Sequence, residues 1–260
     1  MSRLFCLLTC LGAVCFFCGC DRPEKTGVSV PVSSSVLPGE GYKRRALNAA
    51  GGLQSWQEIN DIKLHCIVTI YNADGTYYLT EQVHRISPWS KSIEVSGREP
   101  AGAIELKLTD NQFEKFETAA GGWFSEKTNA QYFCSAVLDI TTAPVLLLEN
   151  KFMPAGGREL AEIDGSIYQP FYRITRKGLV EPERVIDYIT EDKLYLNQES
   201  FLVDMIQYGS IVESDLIVVK GFYYRQVSGN IRLPGRIEIY SADSDGTLER
   251  LLVKIECVQG

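Results

Sequence analysis

Two histidines and eight cysteines are the side chains of this chain best suited to nucleophilic or metal-binding chemistry. A hairpin closed by Asp74-Gly75 alone pairs Ala73 with Thr76, so that paired numbers sum to 149 and His65 lies opposite His84. Two imidazoles across a strand pair can begin a metal site. Their neighbours on that face, Lys63, Ile67, Gln82 and Ile86, bring no carboxylate or thiolate to complete it. The pair therefore reads as two polar-face histidines with no metal, and a longer loop would move the pairing. Beyond the first twenty residues, Cys66, Cys134 and Cys257 form an odd set. One disulfide with one free thiol fits an oxidising compartment, and buried, unpaired thiols are the alternative; nothing assembles a His base beside a Cys nucleophile. No GxSxG, HExxH, Walker or GxGxxG pattern occurs. Most carboxylates fall in turns or on alternating polar faces. The expectation is a binding protein, not an enzyme, with no cofactor.

The chain has 260 residues and a formal net charge of −7. An acidic balance argues against a nucleic-acid partner, which requires clustered Lys and Arg. The short cluster Lys43-Arg44-Arg45 reads as a solvated face. Residues 1–19 carry Arg3 and then an apolar run from Leu4 to Phe17, too short for a comfortable membrane span, and read as a secretory signal. The ending Phe17-Cys18-Gly19-Cys20 resembles the lipobox of bacterial lipoproteins, which makes Cys20 the lipidation site and the membrane anchor. Phe17 and Cys18 depart from that pattern, so cleavage at Cys18 or an uncleaved anchor stays open. Residues 20–41, rich in Pro, Ser and Gly, read as a flexible tether.

The folded part is expected over 42–260. It opens with a short helix, a stop at Gly51-Gly52, and an amphipathic turn with Leu53, Trp56 and Ile59 on one face. From Asp61 the period becomes two, with Ile62, Leu64, Cys66, Val68 and Ile70 on one side of a strand. Strands follow at 76–86, 92–96, 103–109 and 112–117. Helical spacing covers 129–140 and 143–151, with Thr142 as a cap and Pro144 in the first turn of the second helix. Strands resume at 159–163, 167–176, 184–189, 193–197, 200–208, 216–226, 236–241 and 247–258, punctuated by Asp164-Gly165, Gln198-Glu199, Ser228-Gly229-Asn230 and Asp245-Gly246. Many short strands at close spacing imply an antiparallel meander. Alternation puts Leu251, Val253 and Ile255 on the side of Ile237 and Ile239, opposite Glu238, Lys254 and Glu256.

Three stretches carry a family resemblance. Ala49-Ala50-Gly51-Gly52-Leu53 with Trp56 and Ile59, the run Leu194 to Val203, and Ile231-Arg232-Leu233-Pro234 before the strand at Ile237 are similar to LolA/LolB-like periplasmic lipoprotein carriers. The resemblance covers about 42–258 in element order. It implies an α+β, mostly β fold: an unclosed antiparallel β-barrel of about eleven strands, with helices as a lid in the concave face. It also implies an apolar cavity for a lipid or the acyl chain of a lipidated protein, in sorting or transport. The alternative is an envelope interaction or stress-sensing module with no transported ligand. The alternating strands and the Leu146-Leu147-Leu148 segment nominate Leu64, Val68, Leu146, Leu147, Phe201, Val203, Phe222, Ile237, Ile239 and Val253 as cavity lining. Acidic Asp21 resembles the residue that retains enterobacterial lipoproteins in the inner membrane, placing the protein in the cell envelope facing the periplasm. Mass spectrometry of the mature N-terminus should find lipidated Cys20; an unmodified Cys20 or an intact Met1 would refute the anchor.

Overall fold

The computed structural model describes residues 39–148, 152–154, 160–181, 184–209 and 216–258. The signal segment, Cys20 and nearly all of the tether lie outside them. The first helix, α1, spans Gly39–Ala49 and α2 spans Leu53–Gln57. Fifteen strands follow among the described residues: β1 Ile62–Tyr71, β2 Tyr77–Ser87, β3 Ser92–Glu99, β4 Gly102–Thr109, β5 Gln112–Thr118, β6 Met153–Pro154, β7 Ala161–Ile163, β8 Ser166–Glu181, β9 Arg184–Asn197, β10 Val203–Tyr208, β11 Leu216–Phe222, β12 Arg225–Gln226, β13 Arg232–Leu233, β14 Arg236–Ala242 and β15 Leu248–Val258. Between β5 and β6 runs α3, Lys127–Leu148.

Thirteen strands form one antiparallel sheet in the order β5-β4-β3-β2-β1-β15-β14-β11-β10-β9-β8-β6, with β7 beside β8. The sheet does not close, as expected of a mostly β, half-barrel fold. The strand count exceeds the eleven or so that the resemblance implies. Of the thirteen stretches read from periodicity, 184–189 and 193–197 run together as β9, and 216–226 breaks at Tyr223, whose φ is 55°. The two-residue strands β6 and β13 carry too few residues to show a period. The β1–β15 ladder joins the first five strands to the rest of the sheet.

Three local expectations change. The first hairpin ends at Tyr71 opposite Tyr77, so paired numbers sum to 148. Asp74 Oδ1 accepts the Thr76 amide at 2.9 Å, and the Asn72 amide donates to the Thr76 carbonyl at 2.8 Å, closing a wider loop than Asp74-Gly75 alone. A one-residue shift reverses faces. His84 thus faces Leu64 inside the protein, while His65 pairs with Val83 and is exposed. Second, the two helices expected in the middle are one. Thr142 sits within α3, its Oγ1 donating to the Leu138 carbonyl at 2.7 Å, and Pro144 is an interior residue. Burial on nearly every side outweighs the one helical hydrogen bond that Pro144 removes. Third, Ile239 pairs with Val253 but Tyr240 pairs with Leu251, so an extra residue bulges from β15. Val253 and Ile255 are buried with Ile237 and Ile239, but Leu252 and not Leu251 packs against that core.

The Gly51-Gly52 stop is also a contact. Gly51 has φ +118°, and a Cβ there would lie 2.5 Å from the Asn230 carbonyl oxygen. The approach is held by the Arg232 amide donating to Ala50 at 3.0 Å and by buried Trp56 donating Nε1–H to the same carbonyl at 3.1 Å. Gly51→Ala combines a disfavoured φ with a backbone clash and should cost roughly 2–4 kcal/mol in urea unfolding. Gly75→Ala, with φ +84° and open space at the Cβ position, should cost only about 1 kcal/mol in the same assay.

Candidate functional site

The concave face is where apolar alternation and the central helix converge. Helix α3 packs against β3, β4, β10, β11 and β14, against α1, and against a tight turn at Trp123–Ser125. Fifteen of its 22 residues are buried, so it has no solvent face comparable to that of an ordinary amphipathic helix. By length and composition it would suffice to cross a membrane, yet here it is mostly buried within the protein. The sheet supplies Val68, Ile86, Ile93, Ile104, Ile237 and Val253 from its inner positions, all essentially inaccessible to water. Phe124, Phe133 and Trp123 form edge-to-face contacts around the start of α3, with ring centroids 4.9–6.4 Å apart.

Nine of the ten nominated residues meet in this cluster. Val68, Leu146, Leu147, Val203, Ile237, Ile239 and Val253 are buried in it, and Leu64 and Phe201 pack against it partly exposed. Phe222 does not join them. It pairs with Arg236, one residue out of phase with inward Ile237, and the Arg236 guanidinium lies 4.8 Å from its ring centre.

Polar side chains fasten the helix to this apolar face. Arg173 of β8 donates to Asp192 of β9 at 2.8 Å and to Asp139 of α3 at 3.4 Å, and Tyr208 of β10 donates to Asp139 at 3.0 Å. The Arg173 guanidinium also lies 4.8 Å from the centre of the buried Phe152 ring. Burial pushes the Asp139 carboxyl above the usual carboxylate range, while Arg173 and Tyr208 pull it partly back. Just before the start of α3, buried Glu99 accepts the Tyr78 hydroxyl and the Trp123 amide, the latter at 3.1 Å. A Cβ on Gly122 would lie 2.0 Å from Glu99 Oε2, so a larger residue there would have to displace that carboxylate. None of these residues is visible in the sequence as a site, since each partner lies on a different element.

His84 lies on the same inner face, its ring edge-on to Phe133 at 5.6 Å. One ring nitrogen is 2.9 Å from Gln82 Oε1 and the other 3.6 Å from Cys66 Sγ. Burial pushes its pKa down to about 4, so the ring is neutral at physiological pH. Among the described residues no group of three His, Cys, Asp or Glu side chains is placed to hold a metal ion. On the outer face, a depression of about 360 Å³ is rimmed by the charged Arg85, Glu94, Glu105, Lys107 and Lys115, with Val83, Val95, Ser96 and Leu106 also lining it. Lys107 pairs there with Glu94 at 3.5 Å and Glu114 at 3.0 Å, the pattern of a solvated ionic surface and not of an acyl site.

Arg173→Met leaves two acidic side chains without their cation and should cost about 3 kcal/mol in chemical denaturation. Asp139→Asn in the same chain should recover part of that loss, because it removes one of the two orphaned charges.

No protein-family model matches the sequence, and no curated protein matches it. Solved structures do. A LolA superfamily protein from Nitrosomonas europaea is 12% identical with a TM-score of 0.50, the match covering 86% of this chain and 92% of that one. A protein domain from Vibrio parahaemolyticus named for outer membrane lipoprotein sorting is 8% identical with a TM-score of 0.46, over 85% of this chain and 92% of that one. A DUF1329 family protein from Desulfovibrio piger is 8% identical with a TM-score of 0.41 over the same shares. The open antiparallel sheet wrapped on one long buried helix is thus the fold of a LolA superfamily protein.

Proposed function

We propose that this is a lipid-anchored protein of the bacterial cell envelope that holds an acyl chain, of a lipid or a lipidated protein, between its concave sheet face and the end of α3. The observation that carries this reading is the apolar end of α3, interrupted by Pro144 and lying over an apolar sheet face. Pro144 has no amide to donate to the Ile140 carbonyl, which makes the turn bearing Leu146 and Leu147 the least strongly bonded part of the helix. Leu148, 37% exposed, brings that turn to solvent. The magnitudes permit exchange. Exposing two leucines costs about 3–6 kcal/mol, and burying a methylene gains about 0.8 kcal/mol, so a chain of about eight buried methylenes offsets the displacement. The fold shared with a LolA superfamily protein supports a carrier at the level of architecture. Cys20 is the proposed anchor, and Asp21 supports the inner membrane as its location, facing the periplasm. The role is binding and transport, without catalysis.

A second reading is favoured by one observation: Trp56, Phe124, Phe133, Ile140 and Leu147 pack the interior with essentially no exposure. On that reading the protein is an envelope interaction or stress-sensing module with no transported ligand. A fluorescent fatty acid titrated into the protein separates the two. Saturable binding is expected, and Pro144→Ala, which restores the missing amide, should weaken it roughly tenfold while raising thermal stability. A folded protein that shows no saturable binding leaves only the interaction reading.

A further inference from the structure

We propose that Cys66 and Cys257 form a disulfide that staples β1 to β15 at the seam between the two parts of the sheet. The two residues are direct partners in the antiparallel ladder, and their Sγ atoms are 3.6 Å apart although 191 residues separate them in sequence. The backbone geometry is favourable. The Cys257 amide donates to the Gly235 carbonyl at 3.0 Å, and its own carbonyl accepts from Arg225. Both groups therefore turn away from β1, which makes Cys66–Cys257 a non-hydrogen-bonded pair. Cα atoms in such pairs are about 4.5 Å apart, within the range of about 4.4–6.8 Å that a disulfide spans. Cys134 lies on α3, off this ladder, and is left as the unpaired thiol of the three.

The two sulfurs are also chemically unequal. The Cys66 thiol donates to Cys257, which holds the Cys257 thiol below its ordinary pKa, with Arg225 acting in the same direction. The same hydrogen bond, together with burial, pushes Cys66 up. Cys257 is thus the nucleophile. The oxidant is an external disulfide, small or carried by a thiol oxidoreductase. The Cys257 thiolate attacks one sulfur of that disulfide and expels the other as a thiolate. Cys66 then attacks Cys257 Sγ in the mixed disulfide, and its proton leaves on the second departing thiol. Two protein thiols are oxidised and one external disulfide is reduced to two thiols. Both cysteines are buried, but among the described residues only one pair, His65 with Val258, lies beyond them in the ladder, so fraying of that end gives access. Such a bond persists in an oxidising compartment, which the envelope location proposed above provides.

The test uses the full-length protein, incubated with oxidised glutathione, alkylated after unfolding without reductant, and digested. Mass spectrometry should find a Cys66–Cys257 linked peptide and an alkylated Cys134. Alkylation at all three positions, or a link that includes Cys134, overturns the proposal. A second measurement needs no variant that must fold. Dithiothreitol should lower the Tm of the oxidised wild-type protein by roughly 5–15 °C. An unchanged Tm on reduction overturns the role as a staple.

Discussion

The burial of α3 in the curve of an unclosed sheet is the interaction on which the rest of this structure depends. A helix apolar on nearly every side cannot remain in water, and a single sheet with one apolar face cannot remain uncovered. Each satisfies the other. Helix α1 closes over part of the remaining helix surface, and buried Trp56 of α2 holds the carbonyl of Ala50 just past its end. The open edge β5 is seven residues long, three of them charged, which discourages pairing with another strand.

A purely apolar interface would specify position only loosely, since leucines slide past one another at small cost. The polar contacts supply the registration. Asp139 can meet both Arg173 and Tyr208 only if α3 stands at one height over β8 and β10, and Glu99 fixes Trp123 where the chain turns toward the helix. Breaking such buried pairs is expensive, which suits a location device better than a source of net stability.

Packing and ligand capacity pull against one another in this fold. The interior is filled by side chains, so the acyl chain proposed above would enter only where a segment yields. Pro144 places that weakness at one end of α3, while the Asp139–Arg173 contact and the Glu99 contact hold the middle and the beginning. On that proposal the cost of displacement is confined to a turn of leucines, whose burial an acyl chain would replace in kind.

Local signals carried much of the architecture. Asp164-Gly165 is a two-residue turn with positive φ at both positions, as that residue pair favours. Alternation placed Val68, Ile237, Ile239 and Val253 inward, and helical spacing found the position of α3, because periodicity is a property of a few adjacent residues. Only the tertiary structure decided the rest. The hairpin at Asp74 closed one residue wider than its Asp-Gly pair suggested, and that single step sent His84 into the core and left His65 outside. The bulge in β15 reversed Leu251, and the register of β11 on β14 left Phe222 against Arg236. Two helical segments fused across Pro144 because burial outweighed a lost hydrogen bond. The contacts Asp139–Arg173, Glu99–Trp123 and Cys66–Cys257 join residues 34, 24 and 191 positions apart, where no local period connects them. Such pairs exist only after the strands have chosen their partners.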